Sequence, residues 1–264
     1  MGSATREALA SAVAALTALP GKADLTTGEQ LLEASRHLAS SPQLRAALAD
    51  NSEDGSDKKG IIGALFGSYS SSAKKVLQAA VDARWSNEDD LVAGIEELGV
   101  RAIAESASGD IDIEGELFAF ERAVRSDSDL ELAVGSKLGS AEAKVELVRS
   151  LLKGKASAQT IEILSQLVQQ SRGRRIGELL RFATSVVADQ SGLAIATVTS
   201  AHPIGEAQLE RLSTGLARQY GKALRINQVI DPAVIGGLRV QIGDDVIDGS
   251  VATRIHDLRL QLAR

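Results

Sequence analysis

The sequence predicts a mainly α protein. Two tandem bundles of about six short helices each precede a small α+β domain of order β-α-β-β-β-α. Three observations carry that prediction. The four prolines stand at Pro20, Pro42, Pro203 and Pro232, so Gln43 through His202 contains none. A proline inside a helix costs about 3 kcal/mol, and its absence over such a length permits many uninterrupted helices. Apolar residues before Gln190 recur at helical spacing, whereas those after it alternate. The helical part also matches itself at an offset of 86 residues.

Leu91, Ile95 and Leu98 fall on one helical face, as do Ile161, Leu164 and Val168. A wider stripe is formed by Ile176, Leu179, Leu180, Ala183 and Val187. Break signals separate such stripes at Asn51–Gly55, Ser68–Ser72, Ser86–Asp90, Ser106–Gly109, Gly135–Ser140 and Gly173. Helices of roughly two to four turns are too short to be stable alone, so they must bundle.

At the 86-residue offset, Leu31 falls on Leu117, Arg36 on Arg122, Leu44 on Leu130, Lys58 on Lys144 and Leu65 on Leu151. Leu32/Phe118, Leu38/Val124, Ile61/Leu147, Ile62/Val148 and Phe66/Leu152 are apolar pairs in the same register. After a one-residue slip, Leu91 and Ile95 fall on Ile176 and Leu180. Two copies of one bundle, meeting near residues 100–108, explain a register kept across breaks. Leu44 and Leu130 are then expected at equivalent buried positions, and so are Leu65 and Leu151. The expected domains are 1–100, 101–190 and 191–264.

Beyond Gln190 the period is that of strands. Leu193, Ile195, Thr197 and Thr199 alternate; so do Leu224, Ile226, Gln228 and Ile230, and then Leu238, Val240 and Ile242. Leu209, Leu212 and Leu216 mark a helix between the first two strands. Gly243-Asp244-Asp245 reads as a turn into a short strand at Val246–Ile247. A last helix carries Val251, Ile255, Leu258 and Leu262, with Ser250 as its N-cap.

Composition excludes several kinds of chemistry. Without cysteine there is no disulfide, thiolate metal site or thiol nucleophile. His37, His202 and His256 are the only histidines and lie far apart in sequence, which argues against a histidine metal centre. The net charge of −6 argues against general nucleic-acid binding. No apolar run approaches the ~18 residues that span a bilayer, and the N-terminus lacks the apolar core of a signal peptide. A cytoplasmic protein is expected, held at any membrane by another subunit. No catalytic-triad motif, phosphate loop or zinc-binding helix is present. Gly236-Gly237 opens onto a strand, whereas phosphate cradles open onto a helix. Arg172-Gly173-Arg174-Arg175 reads as an interhelix loop or as a contact for an acidic protein. Asp244, Asp245 and Asp248 fit hairpin chemistry better than cation binding. No cofactor and no catalytic residue is expected.

The segment from Val229 to Ser250 combines Asp231, the Gly236-Gly237 pair and a Gly243-Asp244-Asp245-Val246-Ile247-Asp248-Gly249-Ser250 ending, followed by Arg254. It is similar to the C-terminal signature of the ATP synthase delta subunit, or oligomycin-sensitivity conferral protein, family. Arg101 to Arg264 resembles a whole member, and the added first copy resembles extended actinobacterial forms. The resemblance implies a non-catalytic stator component joining the catalytic head to the peripheral stalk, on the cytoplasmic face of the bacterial plasma membrane. It implies a groove for an alpha-subunit N-terminal helix between the first and fifth helices of the second copy, lined by Val100, Ile103, Ala104, Ala107, Ile161, Leu164 and Val168. It further implies that the C-terminal domain receives the C-terminus of the peripheral-stalk b subunit, with Arg254, Arg259 and Gln261 as the contact. The alternative is a helical scaffold or adaptor unrelated to the synthase, with an enzyme a more distant one.

Overall fold

The computed structural model describes residues 2–50, 55–136, 139–234, 236–243 and 245–249. They belong to two compact units, Met1–Val187 and Ala188–Arg264. The first contains α1 (Ser3–Thr17), α2 (Leu25–Ser40), α3 (Pro42–Ala49), α4 (Gly55–Leu65), α5 (Ser71–Asp82), α6 (Glu88–Glu105), α7 (Ile113–Ser126), α8 (Ser128–Gly135), α9 (Ala141–Leu152), α10 (Ala158–Gln169) and most of α11 (Ile176–Gln190).

The sequence breaks are helix caps. Asp24, Ser41, Ser70, Asn87, Asp112, Asp127, Ser140 and Ser157 each accept a backbone N–H from the first turn of the helix that follows. Each such cap is worth about 1 kcal/mol and fixes where a helix begins. Pro42 sits in the first turn of α3, where its missing N–H does no harm.

Helix order repeats. Shifted by 86 residues, α3 lands on α8, and α2, α4, α5 and α6 land on α7, α9, α10 and α11 within a few residues. At the same offset α1 lands on α6. The buried positions of α1, Thr5, Ala8, Ala12 and Leu16, correspond to Leu91, Gly94, Leu98 and Ala102, which are buried in α6. Thus α6 closes the first set of six helices and opens the second, and the expected meeting point near residues 100–108 falls in its last turns and the loop beyond.

Two cores result. The first gathers Leu31, Leu38, Leu48, Ile62 and Phe66; the second gathers their counterparts Leu117, Val124, Val134, Val148 and Leu152. Leu44 and Leu130 are matched but only half-buried. Leu65 departs from expectation: it is 56% exposed, while Leu151 is half-buried. Leu65 ends α4, and the adjacent Phe66 turns into the core instead.

The second unit holds β1 (Leu193–Ser200), α12 (Glu206–Tyr220), β2 (Ala223–Ile230), β3 (Leu238–Ile242) and β4 (Asp245–Asp248). The sheet order is β2-β1-β3-β4. β1 and β2 run parallel through the α12 crossover, and β3 and β4 are antiparallel additions. Leu216 of α12 packs in one core with Ala196, Val198, Val240 and Ile242. The predicted β-α-β-β-β order is present; the predicted terminal helix from Val251 lies outside the described residues.

The tightest crossing joins α2 and α6. A Cβ on Gly28 would stand 2.4 Å from Ile103 Cγ1 and 2.8 Å from the Gly99 carbonyl oxygen, and one on Gly99 would stand 2.6 Å from Leu32 Cγ. Gly28→Ala is therefore expected to destabilise by about 1–3 kcal/mol. Gly63→Ala, in a helix where an added Cβ meets nothing within 4 Å, should stabilise by up to about 1 kcal/mol. Urea midpoints of the two variants check both signs.

Candidate helix-binding site

Six of the seven expected groove residues lie on α6 or α10, and Ala107 lies just beyond α6. All seven join the second core. Val100, Ile103, Leu164 and Val168 are buried, while Ala104, Ala107 and Ile161 are half-buried against them.

What seals this seat is α2. Its Leu32 belongs to the same core as Val100 and Ile103, and Leu25 packs on that core from the edge. Gly28 lets the α2 backbone approach Ile103 directly. Ser35 Oγ donates to the Val92 carbonyl oxygen of α6 at 3.1 Å. On the α10 side, the Arg36 guanidinium donates to Gln166 Oε1. Gln166 Nε2 donates in turn to Glu162, whose other carboxylate oxygen receives Arg149 Nη2 of α9 at 3.1 Å. A polar chain thus runs from α2 across α10 to α9.

Burial sets the electrostatics of this seam. It lowers the Arg36 pKa below the usual arginine value. It raises that of Glu29, chiefly by desolvation and secondarily through the nearby Glu162 carboxylate, which Arg149 partly offsets.

The involvement of α2 was not read from the sequence. A signal existed: Gly28, Gly94 and Gly99 sit inside helices, where glycine costs about 1 kcal/mol relative to alanine, and such glycines mark close approach. Gly94 serves this way against the Trp85 ring.

Two arginines of the basic loop have partners within the chain. Arg174 Nη2 lies 2.6 Å and Arg172 Nη1 lies 3.4 Å from the buried Glu96 carboxylate of α6. Arg174 additionally stacks 5.0 Å above the Phe182 ring.

In the second unit, the signature residues build turns. The Asp231 N–H donates to the Ser200 carbonyl oxygen, and its carboxylate accepts the Ala233 N–H at 2.9 Å. Gly236, Gly237 and Gly243 have φ of 65°, 78° and 57°, values that favour glycine. Gly249 N–H bonds the Leu238 carbonyl oxygen at 2.9 Å, and Asp248 pairs in register with Arg239. Asp244, Ser250, Arg254, Arg259 and Gln261 lie outside the described residues, as does His256. Among the described residues, no group of three or more His, Cys, Asp or Glu could hold a metal ion. His37 is an exposed partner of Glu33 at 3.6 Å.

The family model for the ATP synthase delta (OSCP) subunit matches residues 100–262. The chain belongs to this family. The ATP synthase subunit delta of Leifsonia xyli subsp. xyli is 52% identical over 263 residues, covering all of both chains. That of Streptomyces griseus subsp. griseus is 37% identical over 270 residues, again covering both chains completely. Both alignments therefore include the first helices, which precede the family match. A chain in the cryo-EM structure of the Toxoplasma gondii mitochondrial ATP synthase hexamer is 21% identical, with a TM-score of 0.40, over 62% of this chain and 95% of that one.

A pH test follows for this delta-family chain. Because Glu29 has a raised folded-state pKa, the folded chain holds its proton to higher pH than the unfolded chain does. The stability associated with that proton is present below the ordinary value of 4.5 and is lost as pH rises through the raised value. Glu29→Gln should therefore melt at a higher temperature than the parent at pH 7. The gap should close as the pH falls through 4.5. Paired thermal melts across this range measure it.

Proposed function

We propose that this chain holds the catalytic head of the proton-translocating ATP synthase still against its rotor, as the stator piece between the top of the head and the peripheral stalk. Family membership carries the proposal: the match spans the second helix set and continues through the α+β unit. As a delta-family protein, the chain is a stator subunit of the synthase. It is a non-catalytic one in this proposal, because the role calls for stiff bundles and broad interfaces and needs no titrating centre or bound nucleotide.

Residues 1–100 and 101–190 are two copies of one bundle that share α6, and 191–264 is the stalk-receiving domain. The α6–α10 seat of Val100, Ile103, Ala104, Ala107, Ile161, Leu164 and Val168 accepts the N-terminal helix of an alpha subunit. Small and branched residues there leave room for a partner's apolar anchors, and the seat already accommodates a helix, α2. The C-terminal domain receives the end of the stalk b subunit. Arg254, Arg259 and Gln261 steer an acidic helix into register there, while apolar contacts supply most of the affinity. No described helix is long and apolar enough to cross a membrane, and the chain reaches the cytoplasmic face of the plasma membrane through its partners. The first copy braces the stalk.

Ala104→Lys should weaken binding of an alpha N-terminal peptide about tenfold or more while the circular dichroism stays unchanged, because the half-buried position lets a lysine reach water. Unchanged binding by titration calorimetry removes the site. Removing residues 251–264 should uncouple proton flow from ATP synthesis in membrane vesicles, while the released head still hydrolyses ATP. Normal coupled synthesis with that truncated chain rejects the stator assignment of the C-terminal domain.

A further inference from the structure

Helix α2 carries two apolar stripes. Leu31, Ala34 and Leu38 enter the first core. Leu25, Gly28, Leu32 and Arg36 face the α6–α10 seat instead. That second stripe has the spacing with which a separate amphipathic helix anchors in a groove. The chain thus presents to its own seat the pattern that a partner helix would bring.

The repeat reveals what this occupancy adds. Counted from their N-caps Ser70 and Ser157, α5 and α10 align at an offset of 87, one residue beyond that of the rest of the repeat: α5 buries Ala73, Val76, Leu77, Ala80 and Val81, and α10 buries their counterparts Thr160, Ile163, Leu164, Leu167 and Val168. α10 also buries Glu162 and Ser165. Their counterparts on α5, Lys75 and Gln78, are exposed and half-buried respectively. The first helices of the two sets differ in the same direction. α1 is buried along one stripe, whereas α6 is buried around most of its circumference, including Val92, Glu96, Val100 and Ile103. Of this extra covered surface, Val92, Val100 and Ile103 of α6 lie against α2, whereas Glu96 is covered by Arg172 and Arg174, and Glu162 and Ser165 are bonded by Arg149 of α9.

We infer that α2 is a built-in competitor for the α6–α10 seat, closing it to outside helices until the α2–α10 contact gives way. The inference rests on the proposed use of this seat for an alpha-subunit helix and adds the regulation of that use. The polar chain Arg36–Gln166–Glu162–Arg149 is the latch. It is the weakest part of the closure, because hydrogen bonds along a half-buried seam contribute far less than the apolar burial of Leu32. Release of the Arg36 end is therefore the step that a partner helix exploits.

The chain contains no cysteine, so Arg36→Cys with Gln166→Cys places the only two thiols across the latch of the full chain. The unbridged double variant lacks the Arg36–Gln166 bond. Joined by a short bis-maleimide, each thiol adding across one maleimide double bond, the same protein has α2 tied to α10. Titration with a synthetic alpha N-terminal peptide should give binding about five- to tenfold tighter than the parent for the unbridged form, and no measurable binding for the bridged form. Arg36→Ala should behave as the unbridged form does. Equal binding by bridged and unbridged protein overturns the competition while leaving the chain's ability to bind the helix intact. Binding by none of the proteins, released variants included, removes the seat as an alpha site, and the competition falls with it. Co-purification of the parent chain with the synthase head tests the stator role independently of either result.

Discussion

Everything in the helical unit depends on burying α6 along most of its circumference. A helix at the surface needs one apolar stripe; a helix shared by two cores needs apolar or self-satisfied groups on nearly every face. Eighteen residues of α6 meet that demand in three ways. Leu91, Ile95 and Leu98 serve the first core, and Val100 and Ile103 serve the second. Gly94 and Gly99 remove side chains where Trp85 and Leu32 press closest. The fully buried charged residues are paired: Glu97 with Arg101 at 2.7 Å, and Glu96 with Arg174 at 2.6 Å. Leaving either carboxylate buried without its partner would cost several kcal/mol. These pairs permit a charged helix to occupy the centre, although apolar burial drives the packing.

Sharing α6 has a mechanical consequence. Two domains joined by a linker can tilt about it, and inter-domain motion is the usual outcome when the interface is small. Here the last helix of one set is the first of the next, so a tilt between the sets would have to bend a packed helix or open the α2–α6 crossing. Close-packed interiors resist such deformation, because even small gaps forfeit a large part of their contact energy. For a stator, stiffness of this kind matters more than affinity at any one residue. It also explains how an added copy can lengthen the chain without adding a hinge within this unit.

Much of this architecture is legible in the sequence. The caps are read directly, because Ser, Asp and Asn at the breaks can compete for backbone N–H groups only where a helix starts. The offset is legible because core positions such as Leu31 and Leu117 keep their spacing across those breaks. The β order is legible because apolar residues alternate along each strand, as Leu238, Val240 and Ile242 do; in β1 the alternation of Leu193, Ile195, Thr197 and Thr199 marks the strand, but the core face is the other one, with Ala196 and Val198. The shared role of α6 was harder to see. Leu91, Ile95 and Leu98 account for one face, while on the others Val100 and Ile103 are interspersed with glycines, alanines and paired charges, a mixture that looks like a solvated surface. Leu65 misled in the opposite sense, since a leucine at the end of a helix can yield its core position to the next residue. Of the candidate site, the sequence located the α6 and α10 residues but not their cover. The contact between α2 and α10 has no local signature, because Arg36 and Gln166 are distant in the chain.

The two copies also show why a repeated sequence need not keep a repeated surface. The core positions are constrained equally in both and stay apolar. The outer faces are constrained only by what lies on them. On α1, Ala10, Ala14 and Thr17 face solvent; at the matching positions α6 has Glu96, held by Arg172 and Arg174, and Val100 and Ile103, buried in the second core. On α5, Lys75 is exposed, whereas Glu162 is buried within a hydrogen-bonded chain at the matching position of α10. Thus the inner residues of the repeat define the fold, and the differences between copies define the seat. A surface that receives a helix within its own chain is already shaped to receive one from elsewhere. In the proposed competition, whether it does so depends on the balance between α2 and its rival, and the Arg36–Gln166 bond is the polar contact that ties α2 to α10.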